Sequence, residues 1–258
     1  MRTVDSRKHE SIAQIVRSAF SLTEDKADNE EIRDRLLSGG KVTGTNLCVM
    51  ICAMVIASVG LNTSSTAVII GAMLISPLMG SILAIAYGCA SADIGIVKKH
   101  AVGFAFQIVV SVAASTIYFL LSPVKEPTAE LLARTSPGFF DVIIAIFGGL
   151  AGIIGQTRDD KVNNIIPGVA IATALMPPLC TCGYSIANGN LRMLGGAFYL
   201  FVVNSYFIFL SSAVILSVLR IPRVRELSKE EWNRLERRMI RNTILVLLPG
   251  IVYFIVSI

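Results

Sequence analysis

The residues with the clearest chemical potential in this chain are prolines and hydroxyls placed inside apolar runs. The run VIIGAMLISPLMGSILAIAYG, residues 68–88, carries Ser76-Pro77 at its middle, and PGVAIATALMPPLCTCGYSIANG, residues 167–189, carries Pro177-Pro178. Proline lacks an N–H and clashes with the carbonyl four residues back, so it frees that acceptor. The freed carbonyls are Met73 for Pro77, and Thr173 and Ala174 for Pro177 and Pro178. An unpaired backbone group in hydrocarbon costs several kcal/mol, so such breaks must face protein, water or a solute. Ser76, Thr173, Thr181 and Ser185 supply hydroxyls nearby, and Gly71 and Gly80 leave room for another helix or a solute. The structural alternative is a proline kink whose freed groups are taken up by those hydroxyls.

Other polar groups are scarce in the apolar runs. Asp141 opens one of them, and Gln107, Gln156 and Asn204 lie in or near others. An ionisable residue in a membrane segment is a functional candidate. Asp141 follows Pro137-Gly138 and is equally suited to capping its helix near the positive end of the dipole. With no row of acids across the membrane, a proton relay or a divalent-cation site has little to stand on. Neutral solutes, anions at half-helix amino termini and a monovalent cation on backbone carbonyls all fit the residue types. The candidate pathway therefore comprises Gly71, Met73, Ser76, Pro77, Gly80, Asp141, Thr173, Ala174, Pro177, Pro178, Thr181 and Asn204.

Enzyme and metal chemistry find little in the pattern. Cys48 and Cys52 share a helical face at i, i+4, but zinc wants more ligands, and the histidines, His9 and His100, lie in polar segments. No metal site and no cofactor are expected. HExxH, GxSxG, a P-loop and a buried acid pair are missing from the sequence, so no enzyme is expected.

These groups need elements to hold them, and composition says which. Of 258 residues, 53% are hydrophobic and only 16% charged, against about 25% charged in ordinary soluble domains. A membrane-crossing helix takes about 20 mostly apolar residues. Seven stretches qualify, at roughly 44–61, 67–89, 101–121, 139–156, 168–188, 194–219 and 243–258, so the expected fold is an all-α multi-pass membrane protein with about seven transmembrane helices. Residues 1–43 contain no apolar core followed by a small-residue cleavage site, and the first span is expected to serve as an uncleaved insertion signal. Cys48, Cys52, Cys180 and Cys182 fall inside apolar runs and Cys89 at the end of one, which reads as packing rather than a disulfide framework.

Lysine and arginine separate by loop. Residues 1–43, 90–100, 157–167 and 220–242 hold twenty of them, and the alternate set, 62–66, 122–138 and 189–193, holds three. Positive residues are retained on the cytoplasmic side, so the amino terminus is expected inside and the carboxyl terminus outside. Topology and anionic lipid account for the net charge of +5 without nucleic acid.

The organisation is a cytoplasmic segment 1–43, a hydrophobic domain 44–219, a basic segment 220–242 and a last span 243–258. Ile12, Ile15, Val16, Ala19 and Phe20 form the stripe of an amphipathic helix, and a second short helix with Ile32, Leu36 and Leu37 stops at Gly39-Gly40. After Pro222, the Ser228/Glu231 capping pair and Trp232, Leu235 and Met239 mark a helix that lies on the anionic inner leaflet or packs on the protein's own cytoplasmic face. A shift of 101 residues lays Leu74 on Leu175, Pro77 on Pro178, Gly88 on Gly189 and Phe106 on Phe207. Repeats 44–121 and 139–219 would each hold three helices, an odd number, and so lie inverted in the membrane. Inverted repeats with interrupted helices at corresponding places are a recurring plan of secondary transporters, with the binding site at the midplane. Gly148, Gly149 and Gly152 in FGGLAGIIG give a small-residue face for close helix contact within one chain or between protomers of a homo-oligomer.

The segments GLNTSSTAVIIGAMLISPLMGSILAIAYG, RTSPGFFDVIIAIFGGLAG and PGVAIATALMPPLCTCG, within residues 44–219, resemble the bacterial uncharacterised hydrophobic-domain family, domain-of-unknown-function family 389. Gly71, Pro77, Leu78, Gly80, Pro177, Pro178 and Leu179 match its pattern, while Ser81 stands where a proline is expected. The resemblance implies a multi-pass domain of a prokaryotic cytoplasmic membrane and places the family's most recognisable motifs at the broken helices. The expected function is transport or conduction of a small solute or ion at those helices. The rival is a non-transporting membrane scaffold or membrane-stress sensor.

Overall fold

A computed structural model describes residues 25–159 and 166–225, residues 230, 234 and 237, and residues 239–248, with only the backbone at 166–174. Regular structure in these residues is helical apart from one isolated bridge between Lys26 and Arg158. In chain order the helices are α1 Asn29–Gly39, α2 Gly44–Asn62, α3 Thr66–Ile75, α4 Leu78–Ala90, α5 Ile94–Leu121, α6 Ala129–Ala133, α7 Phe139–Gln156, α8 Ile166–Ala187 and α9 Leu191–Val218. A tenth, α10, is the apolar helix Met239–Leu248. The amphipathic stripe at Ile12–Phe20, most of the basic segment 220–242 and the end of the span at 243–258 lie outside the described residues.

Helices α2, α5, α7 and α9 are long and apolar enough to cross a membrane, and α3 with α4 makes a fifth candidate bent by 49°. Much of their apolar surface faces outward: Val102, Val109, Leu121, Phe139, Phe140 and Phe147 are each at least 66% exposed. Soluble monomers rarely carry exposed apolar surface on that scale. Helix α8 is the opposite case. Every residue from Leu175 to Ser185 is buried, and α2, α3, α4, α5, α7 and α9 all pack on it. A helix apolar all round belongs in such a core.

The two proline sites behave differently. At Ser76-Pro77 the helix does break: α3 ends at Ile75, α4 begins at Leu78, and the Ser76 N–H donates to the Met73 carbonyl at 3.3 Å in a tight closing turn. At Pro177-Pro178 the expected interruption does not occur, because α8 runs unbroken from Ile166 to Ala187. Continuous packing on all sides holds that helix together, and kinked or intact helices around proline are tolerated when neighbours and hydroxyls supply the missing partners.

Short polar devices set the remaining boundaries. Gly39-Gly40 ends α1, and the Thr43 hydroxyl caps α2 by accepting from the Asn46 N–H at 3.3 Å. The junctions before α5 and α9 are alike. The Asp93 N–H donates to the Gly88 carbonyl and the Asn190 N–H to the Ser185 carbonyl, both at 2.8 Å. Ala92 and Gly189 take left-handed φ values of 57° and 66°. Asp93 and Asn190 then each accept from the backbone three residues on, at 3.1 Å, to open helices of 28 residues. The left-handed closing turn itself is a common helix end and recurs here at Ser64 and Arg220.

The glycine face of α7 is spent within the chain. A Cβ on Gly149 would collide with the Ser211 hydroxyl and approach the Ile208 Cα and carbonyl to 2.9 Å, whereas one on Gly71 would meet nothing within 4 Å. Gly149→Ala should therefore destabilise the protein by about 1–3 kcal/mol through overpacking. Gly71→Ala, in the exposed interior of α3, should be neutral or stabilising by up to about 1 kcal/mol through helix propensity. Thermal unfolding in detergent checks the pair, and equal melting temperatures for both variants would refute the contact.

Candidate functional site

A short helix and two caps build the rim of a cavity that gathers several of the sequence candidates. The Thr128 hydroxyl caps α6 by accepting from the Leu131 N–H at 3.3 Å and donates to the Leu61 carbonyl at 2.7 Å, which clips α6 to the end of α2. Beyond it, the Thr135 backbone lies so close to Gly196 that no Cβ fits there. Asp141 then opens α7, its Oδ2 accepting from the Gly138 N–H at 2.8 Å. The capping role read from the sequence is thus the one its carboxylate performs on the backbone.

Below this rim lies a cavity of about 190 Å³ lined by Thr66, Ile69, Ile70 and Met73 of α3, Glu130 and Arg134, Asp141 and Ile144 of α7, Pro178 of α8, and Leu200 and Asn204 of α9. Its mouth holds one guanidinium and two carboxylates. Arg134 Nη2 stands 3.6 Å from Glu130 Oε2, a loose pair, and Arg134 Nε is buried with no hydrogen-bond partner. The Thr66 hydroxyl donates to Glu130 Oε1 at 3.2 Å. The walls are mostly aliphatic, and the Asn204 amide supplies a polar group deep in the space, 3% exposed.

Of the sequence candidates, Met73, Asp141, Pro178 and Asn204 meet in this cavity. Pro77 and Ser76 stand at the break beside it, with the Ser76 hydroxyl buried and without a partner. The others go elsewhere. Gly71 is exposed on α3, and nothing lies within 4 Å of where a Cβ would sit. Gly80 is in backbone contact with the Gly39 carbonyl, so the neighbour it was expected to admit is the end of α1. The Thr181 hydroxyl donates to the Pro177 carbonyl at 2.9 Å and Ser185 to the Thr181 carbonyl at 2.7 Å, each within its own helix. Pro177 belongs to the same continuous turn of α8. The side chains of Thr173 and Ala174 lie outside the described residues.

Glu130, Arg134 and Thr66 escaped sequence reasoning. They sit on short loops and helix starts without periodicity, and only the pairing of Glu130 with Arg134 at i, i+4 hinted at a local helix. Among the described residues no group of three or more His, Cys, Asp or Glu side chains could hold a metal ion. Cys48, Cys52 and Cys89 are exposed and Cys180 and Cys182 buried, all with free thiols.

Comparison with known proteins places these elements in a family. An uncharacterised protein of the archaeon Methanocaldococcus jannaschii is 29% identical over 189 residues, covering 73% of this chain and 58% of the relative's own length. The likeness therefore reaches beyond bacteria. No solved structure matches the chain significantly. Residues 73–210, from the end of α3 well into α9, match the family described as domain of unknown function (DUF389), and the chain belongs to that family.

Proposed function

We propose that the protein is a membrane transporter or channel for a small solute or ion, built from two three-helix units of opposite orientation, with the cavity as its outward vestibule. The observation that carries this reading is that Met73, Asp141, Pro178 and Asn204, chosen on chemical grounds, line one space between α3, α7, α8 and α9. A concave, mostly apolar space with a few convergent polar groups is the usual form of a small-molecule site.

The first unit takes α2, the bent pair α3–α4 and α5; the second takes α7, α8 and α9. Its support is in the matching junctions, where Asp93 corresponds to Asn190 and each opens a helix of 28 residues. In that register Phe104 corresponds to Phe201, and their rings stack at 5.9 Å, as equivalent residues do beside a two-fold axis. Helix α5 packs on α8 while α9 packs on α4, so each third helix crosses to the other unit. Helices α5 and α9 run antiparallel, since the Ser91 carbonyl just before α5 accepts from the Val224 N–H just beyond α9 at 2.9 Å. This register differs by one helical turn from the 101-residue shift.

The lysine and arginine distribution puts residues 1–43 and 220–242 in the cytoplasm, so the cavity rim at Thr128–Asp141 faces out. Helix α10 lies along α9, the Tyr206 hydroxyl donating to the Met239 carbonyl at 3.0 Å and the Tyr199 hydroxyl to the Val246 carbonyl at 2.8 Å. That direction carries the chain outward as a seventh span. A prokaryotic cytoplasmic membrane, with segment 220–242 on anionic inner-leaflet lipid, completes the picture. The glycine face of α7 is used within the chain, so a homo-oligomer would have to form through other lipid-facing surface.

Two carboxylates and one guanidinium at the mouth favour a small zwitterion or a monovalent cation over a dianion, and no enzyme chemistry or cofactor enters the reading. The rival scaffold reading draws on the self-bonded Thr181 and Ser185 hydroxyls, which leave much of α8 as plain packing.

Flux into proteoliposomes, measured over a panel of ions, neutral metabolites and amino-acid-sized zwitterions, decides between them. Asp141→Asn keeps an oxygen for the Gly138 N–H, and Asn204→Leu keeps the bulk. A lost hydrogen bond to a charged group is worth about 1.5–3 kcal/mol, so Asp141→Asn should weaken apparent affinity by about ten- to a hundredfold without lowering the melting temperature in proportion. Absence of flux across the whole panel, or flux unchanged in both variants, would support the scaffold.

A further inference from the structure

We propose that Ser81, Gly103 and Gln107 form a second solute site, the cytoplasmic counterpart of the cavity, and that the chain's own Gly39–Val42 segment fills it in this structure. The proposal rests on the two-unit reading above. In the register that lays Asp93 on Asn190, three residues lining the outer cavity, Pro178, Leu200 and Asn204, fall on Ser81, Gly103 and Gln107.

Those three residues are built as a site. The Ser81 hydroxyl donates to Gln107 Oε1 at 2.7 Å, and both side chains are essentially buried, at 0% and 1% exposure. The other end of the Gln107 amide, Nε2, is buried without a partner. Turning the amide over changes only which end is left, because one end serves Ser81 and nothing serves the other. A buried amide group in that condition is the place where a solute's polar atom would gain most.

What lies there instead is the turn between α1 and α2. The Gly40 carbonyl stands 3.0 Å from His100 Nδ1 and 3.5 Å from the Ser81 hydroxyl. A Cβ on Gly40 would come within 2.7 Å of both the Ala84 Cβ and His100 Nδ1, and one on Gly103 within 2.9 Å of Val42 Cγ2. Gly39 is in backbone contact with Gly80. The turn is therefore seated at the closest approach that glycine allows, its carbonyl oxygen on the Ser81 and His100 side of the site while Gln107 Nε2 is left for a solute oxygen.

The matching linker at the other end, Thr128–Gly138, behaves differently: it stays at the rim and leaves the outer cavity empty of chain. One vestibule open and its twin occupied is the outward-facing state that alternating access requires. The solute this site takes carries a carbonyl-like or carboxylate oxygen to accept from Gln107 Nε2. Release of Gly39–Val42, with α1 as the lever packed along α4, opens the inner site.

Cysteine accessibility tests this without a known solute. In a full-length protein whose native cysteines are replaced by alanine, Gln107→Cys should react slowly with an impermeant maleimide in inside-out vesicles. Adding Gly40→Leu, which cannot seat, should speed the reaction at least tenfold. Val42→Cys with Gly103→Cys, in a background that keeps Gln107, gives an independent arm: the disulfide should form under mild oxidant and should stop any measured flux until reduced. Equal labelling of Gln107→Cys with and without Gly40→Leu, in protein that melts normally, overturns the proposal, and so does failure of the Val42/Gly103 disulfide to form. If labelling and cross-linking follow expectation while no solute moves, the inner site stands and the transport reading falls.

Discussion

From Leu175 to Ser185 helix α8 is enclosed on every side, and that enclosure constrains the rest of the structure. No residue of this stretch reaches the surface, so each polar group must find a partner in protein. The Ser115 hydroxyl donates to the Cys180 carbonyl at 3.0 Å and lies 3.0 Å from the Ser58 hydroxyl, which ties α2, α5 and α8 at one point. Gly183 lets α5 come this near, since a Cβ there would fall 2.6 Å from Ser115 Cβ. Thr181 and Ser185 bond back to their own helix. In a bilayer these contacts replace the hydrophobic drive that assembles soluble helices, because lipid is as apolar as leucine.

Around that core, α5 and α9 are each opened by an Asx cap and come together at the stacked Phe104 and Phe201 rings. The break at Ser76-Pro77 then has a physical use. It turns α4 by 49° away from the line of α3, so that α3 can wall the cavity while α4 packs against α1 and α9. A straight helix could not serve both ends. Helix α8 needs no such turn, and Pro177-Pro178 sit in it without a break, Pro178 presenting its ring to the cavity.

Much of this was legible in the sequence. The apolar runs at 44–61, 139–156 and 194–219 became α2, α7 and α9 within a few residues, the stop at Gly39-Gly40 held, and Asp141 caps its helix. Three things were not legible, each for a physical reason. The effect of a proline depends on what surrounds its helix, so Pro77 stands at a break while Pro177-Pro178 lie in an unbroken α8. A shift by four residues keeps a helix face in place, so the sequence does not choose between the 101-residue alignment and the register proposed from the Asp93 and Asn190 junctions. Glu130 and Arg134 reach the cavity only because Thr128 and Leu131 anchor α6 on α2, a long-range contact that no local pattern signals.

Two equivalent units in opposite orientations would put the first residues of α5 and α9 on opposite faces of the membrane. Ile94 and Leu191, which correspond in the proposed register, are 64% and 79% exposed. Single cysteines at these positions, labelled by an impermeant maleimide in right-side-out and inside-out vesicles, should react from opposite faces, Ile94→Cys from the cytoplasmic side and Leu191→Cys from outside. Labelling of both from the same face would contradict the account.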